Sequence, residues 1–210
     1  MYLGGLCFIT SRKTSQLSFE NMALGVLKAG VRWIQYRNKD GSRREIFRES
    51  VKLRKITRDF NTMLIINDHA DIALAADADG VHLGQDDLPL KEARKIMGRD
   101  KIIGISTHSL DEAIDAGRSG ADYIGFGPVF HTITKDAGSP KGIFLLGEIK
   151  NKVHIPVVAI GGINLENVRS VFETGADAIA VSSAILSGKI EENVKGFFAI
   201  KRSFSYPLER

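Results

Sequence analysis

The segment Gln35-Tyr36-Arg37-Asn38-Lys39 places two cations and one amide on the same side of an extended chain. Side chains alternate between the two faces of a strand, so Gln35, Arg37 and Lys39 point in one direction. Two like charges in a pocket repel each other unless an anion faces them. Arginine binds phosphate through paired hydrogen bonds, so the spacing predicts a phosphate or diphosphate site, with a solvated strand end as the alternative.

Two acidic segments further along the chain are suited to a divalent cation. Asn67-Asp68 ends one apolar run, and Gln85-Asp86-Asp87 follows the next one. If the two runs are neighbouring strands, Asp68 approaches Asp86 or Asp87, and the ionised carboxylates repel each other unless a cation lies between them. Carboxylate, water and phosphate oxygens are the usual ligands of Mg²⁺. Each aspartate alone is more often a helix N-cap, but beside the basic segment we favour a metal–diphosphate site.

Ser106 and His108 end a fifth apolar run. The Ser-x-His spacing is compatible with nucleophilic catalysis, but the sequence shows neither an acidic partner nor a nucleophile elbow. We therefore assign Ser106 to the polar lining of a pocket and His108 to the cap of the following helix. His69, His82 and His131 have no metal-binding spacing, and we interpret them as residues that do not bind a metal.

Two later regions predict a lid and a second phosphate site. The stretch 129–142 is longer than an ordinary connection and contains Thr132-Ile133-Thr134-Lys135, whose hydroxyls and amine are suited to closing over a charged ligand. An ordinary surface loop is the alternative for this stretch. Gly161-Gly162 and Val181-Ser182 follow the last two apolar runs, where backbone N–H groups hold phosphate in parallel barrels.

The elements that position these residues follow from eight short apolar runs, which alternate with amphipathic stretches along the 210 residues. The predicted strands are Leu6–Thr10, Trp33–Arg37, Met63–Asn67, Gly80–Gly84, Ile102–Thr107, Tyr123–Val129, Val157–Gly161 and Ala178–Ser183. Predicted helices between them include Arg43–Phe60, Leu90–Met97 and Leu110–Ser119. This alternation predicts a parallel α/β fold, and eight such units close a (β/α)₈ TIM barrel, here a single domain over residues 1–210.

Alternation within the strands predicts which side chains face the barrel interior. One set of positions is bulky and apolar and is expected to face the helices; in the seventh strand this set is Val158 and Ile160. The other set is small or polar and is expected to face inward; it includes Gly104, Gly125 and Ala159. Barrel interiors are usually filled by large branched residues, so the small inward set predicts room for a ligand.

A weak repeat precedes three of the strands. Its copies are Ala78-Asp79-Gly80-Val81, Gly120-Ala121-Asp122-Tyr123 and Gly175-Ala176-Asp177-Ala178, with Gly30-Val31-Arg32-Trp33 as a fainter fourth. We interpret the glycines as helix C-caps that lead into tight turns, because glycine enters the left-handed conformation at little cost.

The composition excludes several classes of protein. Apolar residues make up 43% of the chain, which is typical of a globular domain, but no run reaches the roughly 18 apolar residues of a membrane span. The single cysteine, Cys7, excludes an internal disulfide, and with no secretory signal visible we expect a cytoplasmic protein. The net charge of +4 suits small anionic ligands, and no arginine-rich arm or finger spacing indicates nucleic acid. A homo-oligomer is left open.

The motifs together resemble the thiamine phosphate synthase family, in family order over practically the whole chain. The segments that carry the resemblance are Gln35-x-Arg37-x-Lys39, Ile66-Asn67-Asp68, Val81-His82-Leu83-Gly84-Gln85-x-Asp87, Gly104-x-Ser106-x-His108, Gly127-Pro128, Thr132-x-Thr134-Lys135, Ile160-Gly161-Gly162-Ile163 and Val181-Ser182-Ser183-Ala184-Ile185. No single segment is specific, but the set is.

The resemblance implies a transferase that joins a hydroxymethylpyrimidine diphosphate to a thiazole phosphate, with Mg²⁺ as cofactor and small molecules as its partners. The residues implied to bind the pyrimidine diphosphate are Gln35, Tyr36, Arg37, Asn38, Lys39, Asn67, Ser106 and Lys135. Those implied to bind the thiazole phosphate are Thr132, Ile133, Thr134, Gly161, Gly162, Val181 and Ser182. The implied metal ligands are Asp68 and Asp87, and the implied catalytic residues are Arg37, Lys39, Ser106 and Lys135.

The sequence departs from the family pattern at His69, where a second aspartate is common, at His131, and at Ser11. Three alternatives stay open. One is a related thiazole tautomerase of the TenI type, with His108 as general acid/base, against which the intact Asp68 and Asp87 argue. The others are a phosphate-binding protein without catalysis and a sugar-phosphate isomerase on the same barrel.

Overall fold

The computed structural model describes residues 3–132 and 138–205, in which eight parallel strands form a closed barrel in chain order. The strands are β1 (Gly5–Ile9), β2 (Trp33–Tyr36), β3 (Met63–Asn67), β4 (Gly80–Leu83), β5 (Ile102–Thr107), β6 (Tyr123–Phe126), β7 (Val157–Ile160) and β8 (Ala178–Val181). The helices are α1 (Phe19–Lys28), α2 (Arg43–Asp59), α3 (Ala70–Ala75), α4 (Leu90–Met97), α5 (Leu110–Arg118), α6 (Gly142–Lys152), α7 (Val168–Glu173), α8 (Ser183–Leu186) and α9 (Ile190–Ser205).

The predicted (β/α)₈ barrel is confirmed, and the strand boundaries move by a few residues at most. The largest difference is in β6, which ends at Phe126 rather than at Val129. Pro128 follows and has no backbone N–H to donate to a ladder, so the strand cannot continue through it. In the described part of the chain no helix is both long and apolar enough to cross a membrane.

The connection from β2 to β3 shows how local sequence sets the elements that carry the basic segment. The Ser42 hydroxyl accepts a hydrogen bond from the Glu45 backbone N–H, and the Glu45 carboxylate accepts one from the Ser42 N–H at 2.8 Å. This capping box satisfies two of the free donors at the helix start. It begins α2 at Arg43, so the basic segment 35–39 spans the last two residues of β2 and the start of the turn that leads to α2.

The apolar core forms two layers. The outer layer packs the strands against the helices and includes Phe8, Ile34, Leu64 and Phe126, all buried. The inner layer fills the barrel interior; its buried members are Cys7, Ile9, Trp33, Met63, Ile65, Tyr123, Val158, Ala178 and Ala180. The inner layer closes the barrel below and leaves its carboxyl end as the place for a pocket.

The predicted orientation of β7 is wrong. Val158 belongs to the inner layer and Ile160 packs on it, whereas Val157 and Ala159 face the helices. The register explains the difference, since Val158 lies opposite Gly125 of β6 and Ala178 of β8, which both point inward. A bulky side chain is accommodated there because its neighbour Gly125 has none.

The space beside two inward glycines is also occupied, which corrects part of the predicted ligand room. A Cβ on Gly104 would collide with the ring of Tyr123, and one on Gly125 would lie 3.0 Å from Cε1 of His82. Both rings lie inside the barrel, where Tyr123 packs edge-on against Trp33 at 5.2 Å between centroids. The two glycines therefore make room for aromatic side chains of the protein itself.

Three aspartates close the amino-terminal end of the barrel, and we call them the basal carboxylates: Asp79, Asp122 and Asp177. Each accepts a backbone N–H from the preceding strand: Leu64 at 2.7 Å, Ile103 at 2.7 Å and Val157 at 2.8 Å. Each also pairs with a cation from a helix: Arg54 at 2.8 Å, Arg94 at 2.6 Å and Lys150 at 2.6 Å. The sequence repeat is thus more than a set of glycine caps, although Gly30, Gly120 and Gly175 do have positive φ directly after their helices.

The fourth copy of the repeat lacks the carboxylate. Arg32 stands there and donates to the carbonyls of Leu27 and Val31 instead. A cavity of about 520 Å³ opens at this point, with Arg32, Trp33 and Leu6 among its lining residues.

Candidate functional site

A cavity of about 120 Å³ lies at the carboxyl end of the barrel. Its lining residues are Ile9, Thr10, Ser11, Arg37, Ser106, His108, Gly125, Gly127, Pro128, Thr132, Ile160, Gly161, Gly162, Ile163, Ala180, Val181, Ser182 and Ser183. They come from the ends of β1, β2, β5, β6, β7 and β8 and from the loops after them. The predicted thiazole-phosphate residues Gly161, Gly162, Val181 and Ser182 therefore meet Arg37 and Ser106 at one pocket.

Arg37 is held where β2 ends. The Arg37 backbone N–H donates to Oγ1 of Thr10 at 2.9 Å, and the Thr10 N–H donates to the Gln35 carbonyl at 3.0 Å. Thr10 comes from the end of β1, so it fixes the chain that carries Arg37 against the neighbouring strand. Sequence reasoning missed this support.

Tyr36 and Asn38, two of the predicted substrate-binding residues, turn their side chains toward α2. The Tyr36 hydroxyl and the Asn38 amide both donate to the Glu49 carboxylate, the amide at 3.1 Å. Burial and the hydrogen bond to Glu49 raise the pKa of Tyr36, so its phenol keeps its proton. These two side chains anchor the segment, and Gln35 is buried beneath the cavity.

Asp68 and Asp87 come together at the ends of β3 and β4. Burial raises the pKa of Asp68, the neighbouring carboxyl of Asp87 adds to the rise, and the Lys39 ammonium opposes it. Lys39 forms an ion pair with Asp68, whose other oxygen accepts from the Asn67 amide. The Asp87 carboxylate accepts the Gly84 backbone N–H at 2.6 Å.

This cluster has the donor set of a hard cation site. Among the residues the structure describes, no group of three or more His, Cys, Asp or Glu side chains is arranged to hold a metal, and this cluster offers two carboxylates. Mg²⁺ is commonly bound by one or two carboxylates, with water and substrate phosphates completing its shell. The alternative of helix capping is wrong for both residues, since α3 begins after His69 and α4 after Pro89, neither with a side-chain cap.

Ser106 is held from two sides. The Gln85 amide donates to its carbonyl at 2.6 Å, and Nε2 of His82 lies 2.9 Å from its Oγ. Nδ1 of His82 lies 2.9 Å from the hydroxyl of Tyr123. The sequence signal for His82 is its inward position on β4, which is independent of its lack of metal-binding spacing.

His108 does not cap α5. Ser109 is the N-cap and accepts from the Glu112 N–H, whereas Nδ1 of His108 lies 2.6 Å from the Gly127 carbonyl. The His108 backbone N–H donates to the Glu112 carboxylate at 2.7 Å. The imidazole therefore ties the end of β5 to the loop after β6 while it lines the cavity.

The Gly161-Gly162 turn lies where the second phosphate site was predicted. Both residues have positive φ, +97° and +66°. A Cβ on Gly161 would lie 2.5 Å from Cβ of Pro128, and one on Gly162 would collide with the His131 carbonyl. Glycine is thus required by the approach of the 128–131 segment, which donates its Phe130 N–H to the Gly161 carbonyl at 3.0 Å.

Ser182 adds an unsatisfied donor to this side of the pocket. Its Oγ is buried, and no hydrogen-bond partner for it exists among the described residues. Thr132 also lines the cavity, whereas Ile133, Thr134 and Lys135 lie outside the described residues, so the lid stays a prediction. A buried hydroxyl without a partner costs free energy that a bound anion would recover.

Comparison with known proteins relates this chain to one family. Residues 6–185 match the family model described as thiamine monophosphate synthase. The thiamine-phosphate synthase of Clostridium acetobutylicum is 48% identical over 180 residues, 85% of each chain, and that of Halalkalibacterium halodurans is 49% identical over 185 residues, 88% of this chain and 84% of its own. The structure of thiamine phosphate pyrophosphorylase from Pyrococcus furiosus superposes with a TM-score of 0.88 at 38% identity, covering 95% of this chain and 96% of that one.

Proposed function

The chain belongs to the thiamine monophosphate synthase family, and from that premise we propose how its carboxyl-end site forms thiamine phosphate. The substrates are an aminopyrimidine with a methylene diphosphate and a thiazole phosphate. The bond between the methylene carbon and the diphosphate oxygen breaks, and its electron pair leaves with pyrophosphate. The thiazole nitrogen then gives its lone pair to the same carbon and forms the new C–N bond.

The reaction needs charge stabilisation rather than a protein nucleophile. Negative charge grows on the diphosphate as it leaves, and fixed cations placed there lower the barrier. Arg37 at the cavity and Lys39 beside the carboxylate pair are the groups we assign to this role, together with Lys135 from the predicted lid. Ser106 supplies a hydroxyl to the same anion. Each 1.4 kcal/mol or so of such stabilisation is worth about tenfold in rate.

The thiazole phosphate is assigned to the opposite side of the pocket. The Gly161-Gly162 turn permits close approach of backbone, and the buried Ser182 hydroxyl lacks a partner there. Thr132 and Val181 line the same side. In this arrangement, neutral hydrogen-bond donors bind the phosphate of the thiazole, which does not react. The charged groups face the diphosphate, which leaves.

Asp68 and Asp87 are the residues that would hold Mg²⁺. Their carboxyl groups meet in a setting that disfavours two ionised forms, which fits a site completed by a cation. When bound, the ion supplies positive charge that binds diphosphate oxygens and neutralises the leaving group. Lys39 forms an ion pair with Asp68 and would therefore stand beside the diphosphate at this site.

The observation that carries this proposal is the meeting of Asp68 and Asp87 beside Lys39 at consecutive strand ends. The test is incubation of the purified protein with both phosphorylated substrates, with and without Mg²⁺, followed by separate assays for thiamine phosphate and pyrophosphate. Equal amounts of both products, formed only with the metal, are expected. Isomerised thiazole without pyrophosphate release would overturn the proposal in favour of the tautomerase, and binding of both substrates without product would favour a phosphate-binding protein.

We further propose that residues 1–210 act as one domain on small molecules in the cytoplasm. The single closed barrel carries every described residue of the site. The thiol of Cys7 is buried in the inner layer, and burial raises its pKa, so it is an inert thiol suited to a reducing compartment.

A further inference from the structure

A buried row of polar side chains crosses the barrel beneath the pocket, and the scheme above uses only its last member, Ser106. It runs from Gln35 through Tyr123 and His82 to Ser106. The Tyr123 hydroxyl lies 2.9 Å from Nδ1 of His82, and Nε2 of His82 lies 2.9 Å from Oγ of Ser106. Gln35, His82 and Tyr123 are buried, and Ser106 alone of the four lines the cavity.

The protons in this row are fixed by its first two members. Burial raises the pKa of Tyr123 well above its ordinary value of 10, so the phenol keeps its proton. The hydrogen bond from Gln35 acts in the opposite direction on that pKa, because an amide N–H donated to the phenol oxygen stabilises the ionised form. Tyr123 thus accepts from Gln35 and has its own O–H left to donate to Nδ1 of His82.

The histidine tautomer follows from that donation. Nδ1 of His82 accepts a hydrogen bond from the Tyr123 hydroxyl, so the neutral form of the imidazole carries its hydrogen on Nε2. Nε2–H then donates to Oγ of Ser106, which leaves the single serine O–H to point elsewhere. Because Ser106 lines the cavity, the direction left for its proton is toward a bound ligand.

We propose that His82 is a positioning residue, which makes the Ser106 hydroxyl a hydrogen-bond donor to the diphosphate of the bound pyrimidine substrate. This inference rests on the proposed function for the identity of the ligand. All donors in the row point the same way, from Gln35 to the pocket, and hydrogen bonds aligned head to tail strengthen one another. The Gln85 amide, bound to the Ser106 carbonyl, fixes the main chain of the same residue.

The barrel interior accommodates this row through glycines on the neighbouring strands. The Tyr123 ring occupies the space where Gly104 has no side chain, and the His82 ring lies over Gly125 at 3.0 Å from the position of a Cβ. The two rings are tilted by 31° with centroids 5.4 Å apart. An apolar side chain at position 82 would fill the same space, so packing alone does not call for an imidazole.

The test is a set of variants at positions 82 and 123, each made in the wild-type and the Ser106→Ala background. His82→Asn loses the donor to Ser106, and His82→Gln places an amide N–H near the position of Nε2. Tyr123→Phe keeps the ring and removes the proton that fixes the tautomer. The readouts are kcat and KM for the pyrimidine diphosphate at saturating thiazole phosphate, and the thermal unfolding midpoint.

In the wild-type background we expect His82→Asn to lower kcat/KM about tenfold, because a donor to a charged group is lost, and His82→Gln to recover most of it. Tyr123→Phe should lower it by about threefold, since the tautomer is then free. In the Ser106→Ala background all three substitutions should change kcat/KM less than about twofold, because the group they act through is gone.

Losses of equal size in both backgrounds would overturn the proposal and assign His82 to packing. If His82→Asn does not fold, the Tyr123→Phe and Ser106→Ala pair gives the same decision. If the wild-type protein forms no thiamine phosphate, the proposed function fails by itself. The same cycle is then measured by calorimetric binding of inorganic pyrophosphate with Mg²⁺, where non-additive losses support the row and additive losses refute it.

Discussion

Aspartates stand at both ends of this barrel, and the two ends use them differently. At the amino-terminal end each basal carboxylate accepts a backbone N–H and pairs with its own cation from a helix. At the carboxyl end Asp68 and Asp87 face each other, and Lys39 forms an ion pair with one of them.

The difference shows how to tell a structural carboxylate from a functional one. A basal carboxylate is satisfied by groups that the fold itself supplies, so nothing else is needed to complete it. The pair at the carboxyl end carries more negative than positive charge, since two half-buried acids meet with one paired lysine, and partial burial raises the pKa of Asp68. A site whose negative charge is not balanced by the protein itself is suited to binding a cation.

The largest expected effect comes from removing either member of the pair. Asp68→Ala and Asp87→Ala should each lower Mg²⁺-dependent formation of thiamine phosphate by about 10²–10³-fold, since charge stabilisation of the leaving group is lost. Steady-state rates across a Mg²⁺ titration measure this.

Asp86→Ala is the matched control, because Asp86 is an exposed neighbour of Asp87 on the same turn. It should retain the wild-type Mg²⁺ titration. Turnover that keeps its metal dependence in both Asp68→Ala and Asp87→Ala would remove these residues from the site and end the contrast between the two ends.

The next largest effect is on stability. Arg54 and Asp79 are each only 16% exposed, so Asp79→Ala strands a buried guanidinium and the N–H of Leu64. We expect a loss of about 2–4 kcal/mol in the free energy of unfolding, measured with urea, and little change in kcat of the folded protein. Asp79→Asn keeps an acceptor and should lose less; an equal loss would show that the hydrogen bond is unimportant.

A smaller loss is expected at the corresponding aspartate directly before β6. Asp122 is 40% exposed, and water screens its pair with Arg94, so the ion pair contributes little. Asp122→Ala should cost about 1 kcal/mol, mainly through the N–H of Ile103, in the same urea experiment. A loss as large as that of Asp79→Ala would mean that the contribution of a basal carboxylate to stability does not depend on its burial.

The smallest effect concerns pH. Because the folded pKa of Asp68 is raised above its ordinary value of 3.8, the folded state holds this proton more tightly than the unfolded state does. Wild-type stability from this group is therefore present below pH 3.8 and is lost as pH rises through the folded pKa.

Asp68→Asn has no such loss, so its stability relative to wild type should increase from pH 3.5 to pH 7, by less than about 1 kcal/mol. Urea midpoints at the two pH values measure it in the absence of Mg²⁺. A difference that shrinks as pH rises would show that Lys39 dominates the carboxylate rather than burial.

Much of the fold was readable from the sequence because most strands alternate strongly. Alternation predicts an inner and an outer side for Trp33-Ile34-Gln35-Tyr36 and for Gly104-Ile105-Ser106. The structure confirms both orientations. Val157-Val158-Ala159-Ile160 is apolar at every position, so no period of two exists to read. Its orientation is set by the register with β6 and β8, which is a property of the closed barrel.

Part of the site was also predicted from the sequence. The approach of Asp68 to Asp87 follows from neighbouring parallel strands ending at one edge, which topology alone provides. The row through His82 could not be seen, because it depends on the rings of Tyr123 and His82 occupying the space beside glycines. The basal role of Asp79 is likewise not visible in the sequence, because its partners, the Leu64 N–H and Arg54, are brought to it only by the fold.

Trp33, the single tryptophan of the chain, lies between the buried polar row and the cavity at the amino-terminal end of the barrel. Its indole N–H is buried with no acceptor in the described part of the chain, and its ring meets Tyr123 edge-on while its other side borders the lower cavity. The intrinsic fluorescence of Trp33 therefore reports on the barrel interior without any label. Its emission wavelength and its quenching should respond to changes around Tyr123 and to changes in the cavity beside Arg32.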